Sequence, residues 1–344
     1  MTTQPPSALT MLLSRHTKRR EFITLLGGAA AACPLAARAQ QAAVPVVGFL
    51  NGLSAGERPH LVESFRRGLS EAGYVAGQNV AVEYRYAENQ PDRLRALATD
   101  LIARRVAVIA ATGGNNTALV AKSLTTTIPI VFTSGADPVR AGLVSSFSQP
   151  EGNVTGVSWF SGELGAKHLE LVRELVPKAT LIAVFANPRN REAALYEQPL
   201  REAATRVPGL QLEILEASTA GEIDAAFETL VQHKASAVIV ASDPFLAARA
   251  RQFAVLAARN NIVMVTGTRD FTMAGCMISY GNDTADAYRR AGLYTGRILK
   301  GAKPADLPID RATKFELIIN IQTARSLKFE IPARLLAIAD EVIE

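Results

Sequence analysis

The feature that most constrains this 344-residue chain is an alternation of apolar strands and helical stretches that runs through the first half and is then repeated. In the first half, the predicted strands are VPVVGFLNG, VAVEYRYAE, VAVIAATGG and IPIVFTSGADP. The second half repeats the order with ATLIAVFANPRN, LQLEILEAS, ASAVIVASDP and NIVMVTGTRD. Mostly apolar strands between helices are typical of parallel sheets that are covered on both faces. We therefore predict an α/β protein with two Rossmann-like, doubly wound parallel-sheet lobes joined by a hinge.

The segments between and after the repeats predict how the chain passes from one lobe to the other. The stretch QPEGNVTGVSW follows the last strand of the first repeat, and GCMISYGND ends the second repeat. The amphipathic helix that begins TADAYRRAGLYTG has no place in the second repeat, so we expect it to pack on the first lobe. The predicted lobes are 44–155 with 282–312, and 156–281 with 313–344. Three crossings would stiffen the hinge and still allow closure.

The N-terminus carries the pattern of an export signal. Arg19 and Arg20 precede an apolar run from Phe22 to Ala32, which is too short to span a bilayer. Small residues follow at Ala37 and Ala39, where a signal peptidase cuts. We predict that residues 1–39 are a twin-arginine-like signal peptide, and translation could begin at Met1 or Met11. A lipid anchor on Cys33 is the alternative, although the residues before it lack the usual leucine.

Removal of this signal changes the charge of the protein. Residues 1–39 hold five of the 37 basic and one of the 32 acidic residues, so the net charge falls from +5 to +1. A nearly neutral chain gives no reason to expect nucleic acid as a partner. Only Cys276 remains after cleavage, which excludes an intramolecular disulfide, and we expect it to be buried as a small apolar side chain.

Polar residues gather where the predicted strands end, and ligands of doubly wound sheets bind at the carboxyl ends of the strands. In the first lobe these loops run over 51–54, 112–116 and 133–137, and in the second over 187–190, 242–245 and 266–270. Ordinary turn and helix-cap chemistry explains any one of them equally well. Six such loops at equivalent places predict a polar cleft. The candidate ligand-binding residues are Asn51, Leu53, Ser54, Gly114, Asn115, Asn116, Thr117, Ser134, Gly135, Trp159, Asn187, Asn190, Asp243, Phe245, Arg269 and Asp270.

The glycine-rich turn at Gly113 and Gly114 first suggests a nucleotide, because free N–H groups at a helix N-terminus attract anions. However, the sequence contains neither a Walker motif nor G-x-G-x-x-G, and it shows no acidic partner for a ribose. A nucleotide is therefore not the favoured ligand.

Several motifs resemble the substrate-binding proteins of ABC transporters, in the family that includes tryptophan- and tyrosine-binding members. They are IPIVFTSGADPVRAGLVSSFSQPEGNVTGVSW, SDPF, SYGND, YRRAGLYTGRILKGAKPADLPID and KFELIINIQTARSL. The resemblance covers nearly the whole chain after the signal. It implies a type I periplasmic binding fold and a monomeric receptor in the periplasm. Such a receptor closes on a small solute and delivers it to the permease and ATPase of an importer.

The resemblance also implies roles for particular residues. Gly114, Asn115, Asn116 and Thr117, with Ser134 and Gly135, would hold the carboxylate of an amino acid or a related acid. Asp243 or Asp270 would pair with the ammonium, although helix capping explains Asp243 equally well. Trp159 and Phe245 would contact the side chain of an aromatic or branched ligand.

Two other functions remain open at the level of sequence. An enzyme is disfavoured, because His60, His168 and His233 have no metal-ligand spacing and no G-x-S-x-G motif is present. We therefore predict no catalytic residue, metal or cofactor. A ligand-sensing domain that acts with a regulatory partner can share this fold, and it would need a separate protein to carry its signal.

Overall fold

The computed structural model describes residues 44–159, 164–190 and 193–344. The predicted signal peptide, residues 1–39, lies outside these ranges. Residues from Pro45 to Glu344 form one compact unit that contains two sheets. Among the described residues, no helix is both long and apolar enough to cross a membrane.

The first lobe is built on a six-stranded parallel sheet with the order β11-β5-β4-β3-β1-β2. Its strands are β1 (Val46–Asn51), β2 (Ala81–Tyr86), β3 (Val108–Thr112), β4 (Ile130–Ser134), β5 (Val154–Ser158) and β11 (Asp310–Arg311). Its helices are α1 (Pro59–Glu71), α2 (Arg93–Ala103), α3 (Asn115–Leu124) and α10 (Thr284–Leu299), with a 3-10 turn at Pro304–Asp306.

Each face of this sheet has its own apolar core. In β1, Val47 and Phe49 pack towards Phe65 of α1, whereas Leu50 packs on the other side with Leu94 of α2. The strands are therefore apolar on both faces, because helices cover both.

The second lobe is built on a seven-stranded sheet with the order β13-β12-β10-β9-β8-β6-β7. Its strands are β6 (Leu181–Ala186), β7 (Gln211–Glu216), β8 (Ala237–Val240), β9 (Val263–Thr266), β10 (Ile278–Asn282), β12 (Phe315–Asn320) and β13 (Glu341–Ile343). Its helices are α4 (Leu164–Leu175), α5 (Ala193–Thr205), α6 (Ala220–Gln232), α7 (Pro244–Ala248), α8 (Ala250–Asn260), α9 (Arg269–Met273), α11 (Ile321–Ser326) and α12 (Ala333–Ile338). β12 runs antiparallel to β10, so this sheet is mixed at one edge.

The chain passes between the sheets at three neighbouring places. These follow β5, β10 and β11, and hydrogen bonds join them. The Ala312 amide donates to the Ser158 carbonyl at 2.9 Å, and the Asp283 amide donates to the Lys314 carbonyl at 3.1 Å. The lobe boundary predicted after residue 155 falls within β5, whose five residues all belong to the first sheet.

Helix α10 follows the second sheet in sequence but packs on the first lobe. Its residues Ala287, Tyr288 and Ala291 share a core with Phe65 and Leu69 of α1. The two helices approach closely because both carry glycine at the contact. A Cβ added at Gly292 would overlap the Phe65 carbonyl oxygen.

Candidate functional site

A cavity of about 760 Å³ lies between the two lobes, at the carboxyl ends of their parallel strands. Its volume is within the usual range of small-molecule sites. Eleven of the predicted residues line it: Leu53, Gly114, Asn115, Asn116, Thr117, Gly135, Trp159, Asn187, Asn190, Asp243 and Phe245. The other five do not: Asn51, Ser54, Ser134, Arg269 and Asp270.

The turn between β3 and α3 requires its two glycines. Gly113 and Gly114 have φ values of 78° and 120°, which disfavour residues with a Cβ. A Cβ at Gly113 would also overlap the Asn51 Oδ1 atom. Asn51 holds the turn from below, because its Nδ2 donates to Thr112 Oγ1 at 3.0 Å and its Oδ1 accepts from the Leu53 amide at 2.8 Å. Its role in the structure is to fix the loops that form the cavity.

Helix α3 begins at the cavity without a side-chain cap, because its N-cap residue is Gly114. The first N–H groups of a helix attract negative charge. Next to them, the Ser134 hydroxyl donates to Asn115 Oδ1, which fixes the amide orientation and leaves the Asn115 Nδ2 donor without a protein partner. The Thr133 hydroxyl is also unpartnered in a side chain that is only 1% exposed. These groups can donate hydrogen bonds to an anion.

In the second lobe, Asp243 holds residues of the cavity wall that faces α3. It caps α7 by accepting from the Leu246 amide at 2.9 Å, and it accepts from Asn187 Nδ2 at 3.2 Å and Asn190 Nδ2 at 3.1 Å. The side chain is 7% exposed, and burial raises the pKa of Asp243 despite these hydrogen bonds. Asp243 therefore positions two asparagines of the cavity wall.

The cavity wall holds more hydrogen-bonding capacity than the protein uses. Among the described residues, seven buried side-chain polar atoms have no partner, and five of them belong to residues that line the cavity. These five residues are Asn115, Thr133, Ser242, Thr268 and Asn282. Buried polar groups are almost always hydrogen-bonded, because an unpaired group costs free energy. Such groups collect at this site from both lobes.

Ion pairs close the lobes on each other beside the cavity. Arg58, just before α1, forms a bidentate pair with Asp270 of α9, with a Nε to Oδ1 distance of 3.1 Å. Burial opposes ionisation of Asp270, but the charge and hydrogen bonds of Arg58 outweigh it and lower the pKa of that carboxyl. His60 Nε2 lies 3.3 Å from Asp270 Oδ1, although burial lowers the pKa of His60. Asp270 thus meets a cation of the protein itself.

A second contact joins the lobes through the loop after β1. Arg249 Nη1 donates to Glu57 Oε1 at 2.8 Å. Glu57 also accepts from the Ser54 amide, and Asn89 Nδ2 donates to both Glu57 and the Ser54 hydroxyl. Ser54 therefore belongs to the network that holds the lobes together.

Arg269 lies in the second lobe outside the cavity wall. Its guanidinium pairs with Glu341 Oε2 at 2.6 Å and with Glu316 at 3.5 Å, which ties α9 to β12 and β13. The contacts of Arg269 are structural.

Several cavity residues lie outside the six predicted loops, among them Arg58, Tyr288 and Asn282. Arg58 precedes a helix, Tyr288 lies inside α10, and Asn282 ends the strand at the second crossing. The Tyr288 hydroxyl accepts from the Gly113 amide at 3.1 Å. The only sequence signal for Tyr288 was the prediction that its helix returns to the first lobe.

In the described part of the chain, no group of three or more His, Cys, Asp or Glu side chains could hold a metal ion. Cys276 is free and 1% exposed, and burial raises the pKa of its thiol.

Comparison with known proteins agrees with this architecture. A tyrosine-binding protein of Clostridioides difficile is 28% identical over 270 residues, which cover 78% of this chain and 76% of that protein. A conserved domain protein of Vibrio cholerae has 26% identity and a TM-score of 0.79, over 87% of this chain and 99% of that chain. An ABC domain from Streptococcus pneumonia in complex with L-Trp has 23% identity and a TM-score of 0.78, with the same coverage.

The topologies of the two sheets and the solved structures of the same fold confirm the predicted fold. It has two parallel-sheet lobes and is of the type I periplasmic binding class. Residues 45–343 match the family described as ABC transporter substrate binding protein. This match spans nearly all of the described residues and agrees with the resemblance carried by the sequence motifs. The chain therefore belongs to the ABC transporter substrate-binding protein family.

Proposed function

We propose that the protein is the extracytoplasmic receptor of an ABC importer, and that it binds a small solute bearing a carboxylate and delivers it to a membrane permease. The observation that carries the proposal is the cavity between the lobes, with unpartnered donors around the N-terminus of α3. The tyrosine-binding relative and the solved complex with L-Trp support amino acids as one class of ligand. The protein acts as a monomer without a cofactor or catalytic step.

The mechanism is closure of two lobes around the solute. The first lobe offers the N-terminus of α3, Asn115 and Thr133, and the second contributes Asn187, Asn190 and Phe245. Contacts from the second lobe form only in the closed state, so the solute shifts the population towards closure. A solute that leaves a buried polar group unpaired is rejected. The permease then recognises the closed form.

A thermal-shift screen tests this function. The purified protein is heated with amino acids, other carboxylates, sugars, polyamines and nucleotides, because a ligand that binds only the folded state raises the melting temperature. We expect a rise with one or more carboxylate solutes. A rise only with sugars or polyamines would support the receptor function but contradict a carboxylate ligand. No rise with any compound would favour an enzyme or a ligand-sensing domain instead.

The charge preference of the α3 site is tested by Asn115→Asp. This change keeps the side-chain shape and the acceptor for Ser134, but it replaces the free Nδ2 donor by a negative oxygen. We expect affinity for a carboxylate solute to fall at least about tenfold in titration calorimetry, or ~1.4 kcal/mol. Asn260→Asp makes the same change in an exposed residue outside the cavity wall and should leave affinity unchanged. Equal affinity in both variants would contradict the placement.

The exposed wall residue Asn116 gives a milder test. Asn116→Ala should weaken carboxylate binding without unfolding the lobe, and unchanged affinity would remove Asn116 from the site.

A further inference from the structure

The charged groups of the cavity wall limit what the solute can carry. In the part of the chain that the structure describes, these groups are Arg58, Asp137, Arg140, Arg189 and Asp243. An ammonium group buried in this cavity needs a carboxylate partner, because an unpaired buried charge is costly. The question is therefore whether Asp137 or Asp243 is free to accept one.

Asp243 is occupied by its own lobe. Its Oδ1 accepts from the Leu246 amide and from Asn187, and its Oδ2 accepts from Asn187 and Asn190. Two carboxylate oxygens offer about four acceptor positions, and protein donors fill them. The side chain is 7% exposed, so an additional ammonium would have to displace one of these donors.

Asp137 is occupied by a turn. Its Oδ1 accepts from the amides of Val139 at 2.8 Å and Arg140 at 3.1 Å, and its Oδ2 lies 4.0 Å from Arg140 Nε. The carboxylate thus shapes the loop after β4 and faces a cation of that loop. Its Oδ2 makes no hydrogen bond among the described residues, but Arg140 matches the charge of the carboxylate, so an ammonium group would compete there with that arginine.

The positive groups are arranged differently. Arg58 is paired with Asp270, but the Arg189 guanidinium makes no hydrogen bond or ion pair among the described residues. Only the backbone of Arg189 is held, because its amide donates to Asn187 Oδ1 at 3.0 Å. On the opposite lobe lie the uncapped N-terminus of α3, the free Asn115 Nδ2 donor and the buried Thr133 hydroxyl. Both lobes therefore present positive or donor groups, and the other unpartnered atoms of the described wall, Asn282 Oδ1 and the hydroxyls of Ser242 and Thr268, carry no negative charge.

We propose that the solute is a carboxylate that has no ammonium group, with an apolar body. Its carboxylate lies at the start of α3, and its body packs against Trp159, Phe245 and Leu53 of the wall. The proposal rests on the proposed function and narrows its solute class. The matching α-amino acid is rejected because its ammonium would be buried against donors and cations.

Matched ligand pairs test the proposal. Titration calorimetry on the purified protein compares L-phenylalanine with 3-phenylpropanoate, L-tyrosine with 3-(4-hydroxyphenyl)propanoate, L-tryptophan with indole-3-propanoate, and L-leucine with 4-methylpentanoate. In each pair the acid lacks only the ammonium. We expect the acid to bind at least about tenfold more tightly than its amino acid in the pair that binds best.

An amino acid that binds as tightly as its acid, or more tightly, overturns the proposal and leaves the carboxylate receptor intact. If no member of any pair binds, the proposal also fails, and the thermal-shift panel then decides whether the receptor binds another class of solute. The two failures are therefore distinguishable.

Two arginine substitutions test the proposal independently, through the affinity of the protein for the acid that binds best. Arg189→Gln should weaken that acid by roughly tenfold and reduce the dependence of its affinity on salt. Arg251→Gln, which removes an exposed arginine of α8 outside the cavity wall, should change neither. Equal affinity and equal salt dependence in the two variants would overturn the proposal that the bound acid is held between the donors at the start of α3 and the Arg189 charge of the opposite lobe.

Discussion

At the scale of single residues, His168 shows how a buried titratable group can serve the fold alone. Its Nε2 faces the Tyr280 carbonyl at 2.6 Å and must donate to it, so Nδ1 accepts from the Tyr196 hydroxyl at 2.5 Å. The side chain is fully buried in α4, and burial lowers the pKa of His168 to about 4. The imidazole is therefore neutral and links α5 to β10.

The Tyr196→Phe variant should be destabilised, because it leaves Nδ1 of His168 without a donor. We expect a loss of about 1–3 kcal/mol in the free energy of unfolding. Urea denaturation of the ligand-free protein at neutral pH measures it. Tyr294→Phe serves as the control, since the Tyr294 hydroxyl bonds the Pro308 carbonyl near the surface and should cost less than about 1 kcal/mol. Equal losses in both variants would argue against the buried network.

The neutral state of His168 also predicts a dependence on pH. Below the unfolded pKa of about 6.5 the unfolded chain takes up a proton that the folded chain refuses, so stability falls as the pH drops from 6.5 towards 4. The contribution of this residue is roughly 3 kcal/mol over that window, since each pKa unit corresponds to ~1.4 kcal/mol. An NMR titration of the ring in the folded protein checks the cause. A His168 resonance that titrates near pH 6.5 would contradict it.

At the scale of secondary structure elements, the alternation of the sequence predicted both sheets and the ends of the strands at which the cavity lies. It could do so because buried parallel strands are apolar and their carboxyl ends share one edge. It did not specify that β12 runs antiparallel to β10, since an apolar strand has the same pattern in either direction. The sequence pattern also could not predict that Arg58 lines the cavity, because the direction of this side chain depends on how α1 packs.

The contact between α1 and α10 is the most sensitive helix packing in the first lobe. Gly292→Ala would bring a Cβ into the Phe65 carbonyl oxygen and within 2.7 Å of the Leu69 amide nitrogen. Overpacking of this kind costs about 1–3 kcal/mol. Gly221→Ala in α6 meets open space and should instead stabilise the protein by about 0.5–1 kcal/mol. Thermal denaturation of both variants tests this, and a neutral Gly292→Ala would show that the helices can separate freely.

At the scale of the whole molecule, the pair of Arg58 with Asp270 links the two lobes. Both side chains are largely buried, at 8% and 10% exposure, and opening would separate them. Because the pKa of Asp270 is lowered, its carboxyl stays ionised throughout the pH range in which an ordinary carboxyl titrates. The pair is lost only as the pH falls through this lowered pKa. It therefore favours closure throughout the neutral range.

The Arg58→Met variant should favour the open form. We expect the solute Kd to rise about tenfold, or ~1.4 kcal/mol, and the ligand-free protein to give a larger radius of gyration in solution scattering. Arg104→Met removes an exposed ion pair with Asp100 within one lobe and should change neither quantity. A Kd and a scattering profile that match those of the unmodified protein would exclude the pair as a determinant of closure.

The return of α10 to the first lobe has a consequence for how the protein is made. Five of the six strands of the first sheet have been synthesised at Ser158, but the core between α1 and α10 is complete only when Leu299 has been synthesised. At about 5–20 residues per second, the intervening ~140 residues take roughly 7–28 s. During that interval the apolar face of α1 around Phe65 and Leu69 is uncovered on the nascent chain. The first lobe therefore finishes folding after most of the second has been translated, and the two halves mature together on or after the ribosome.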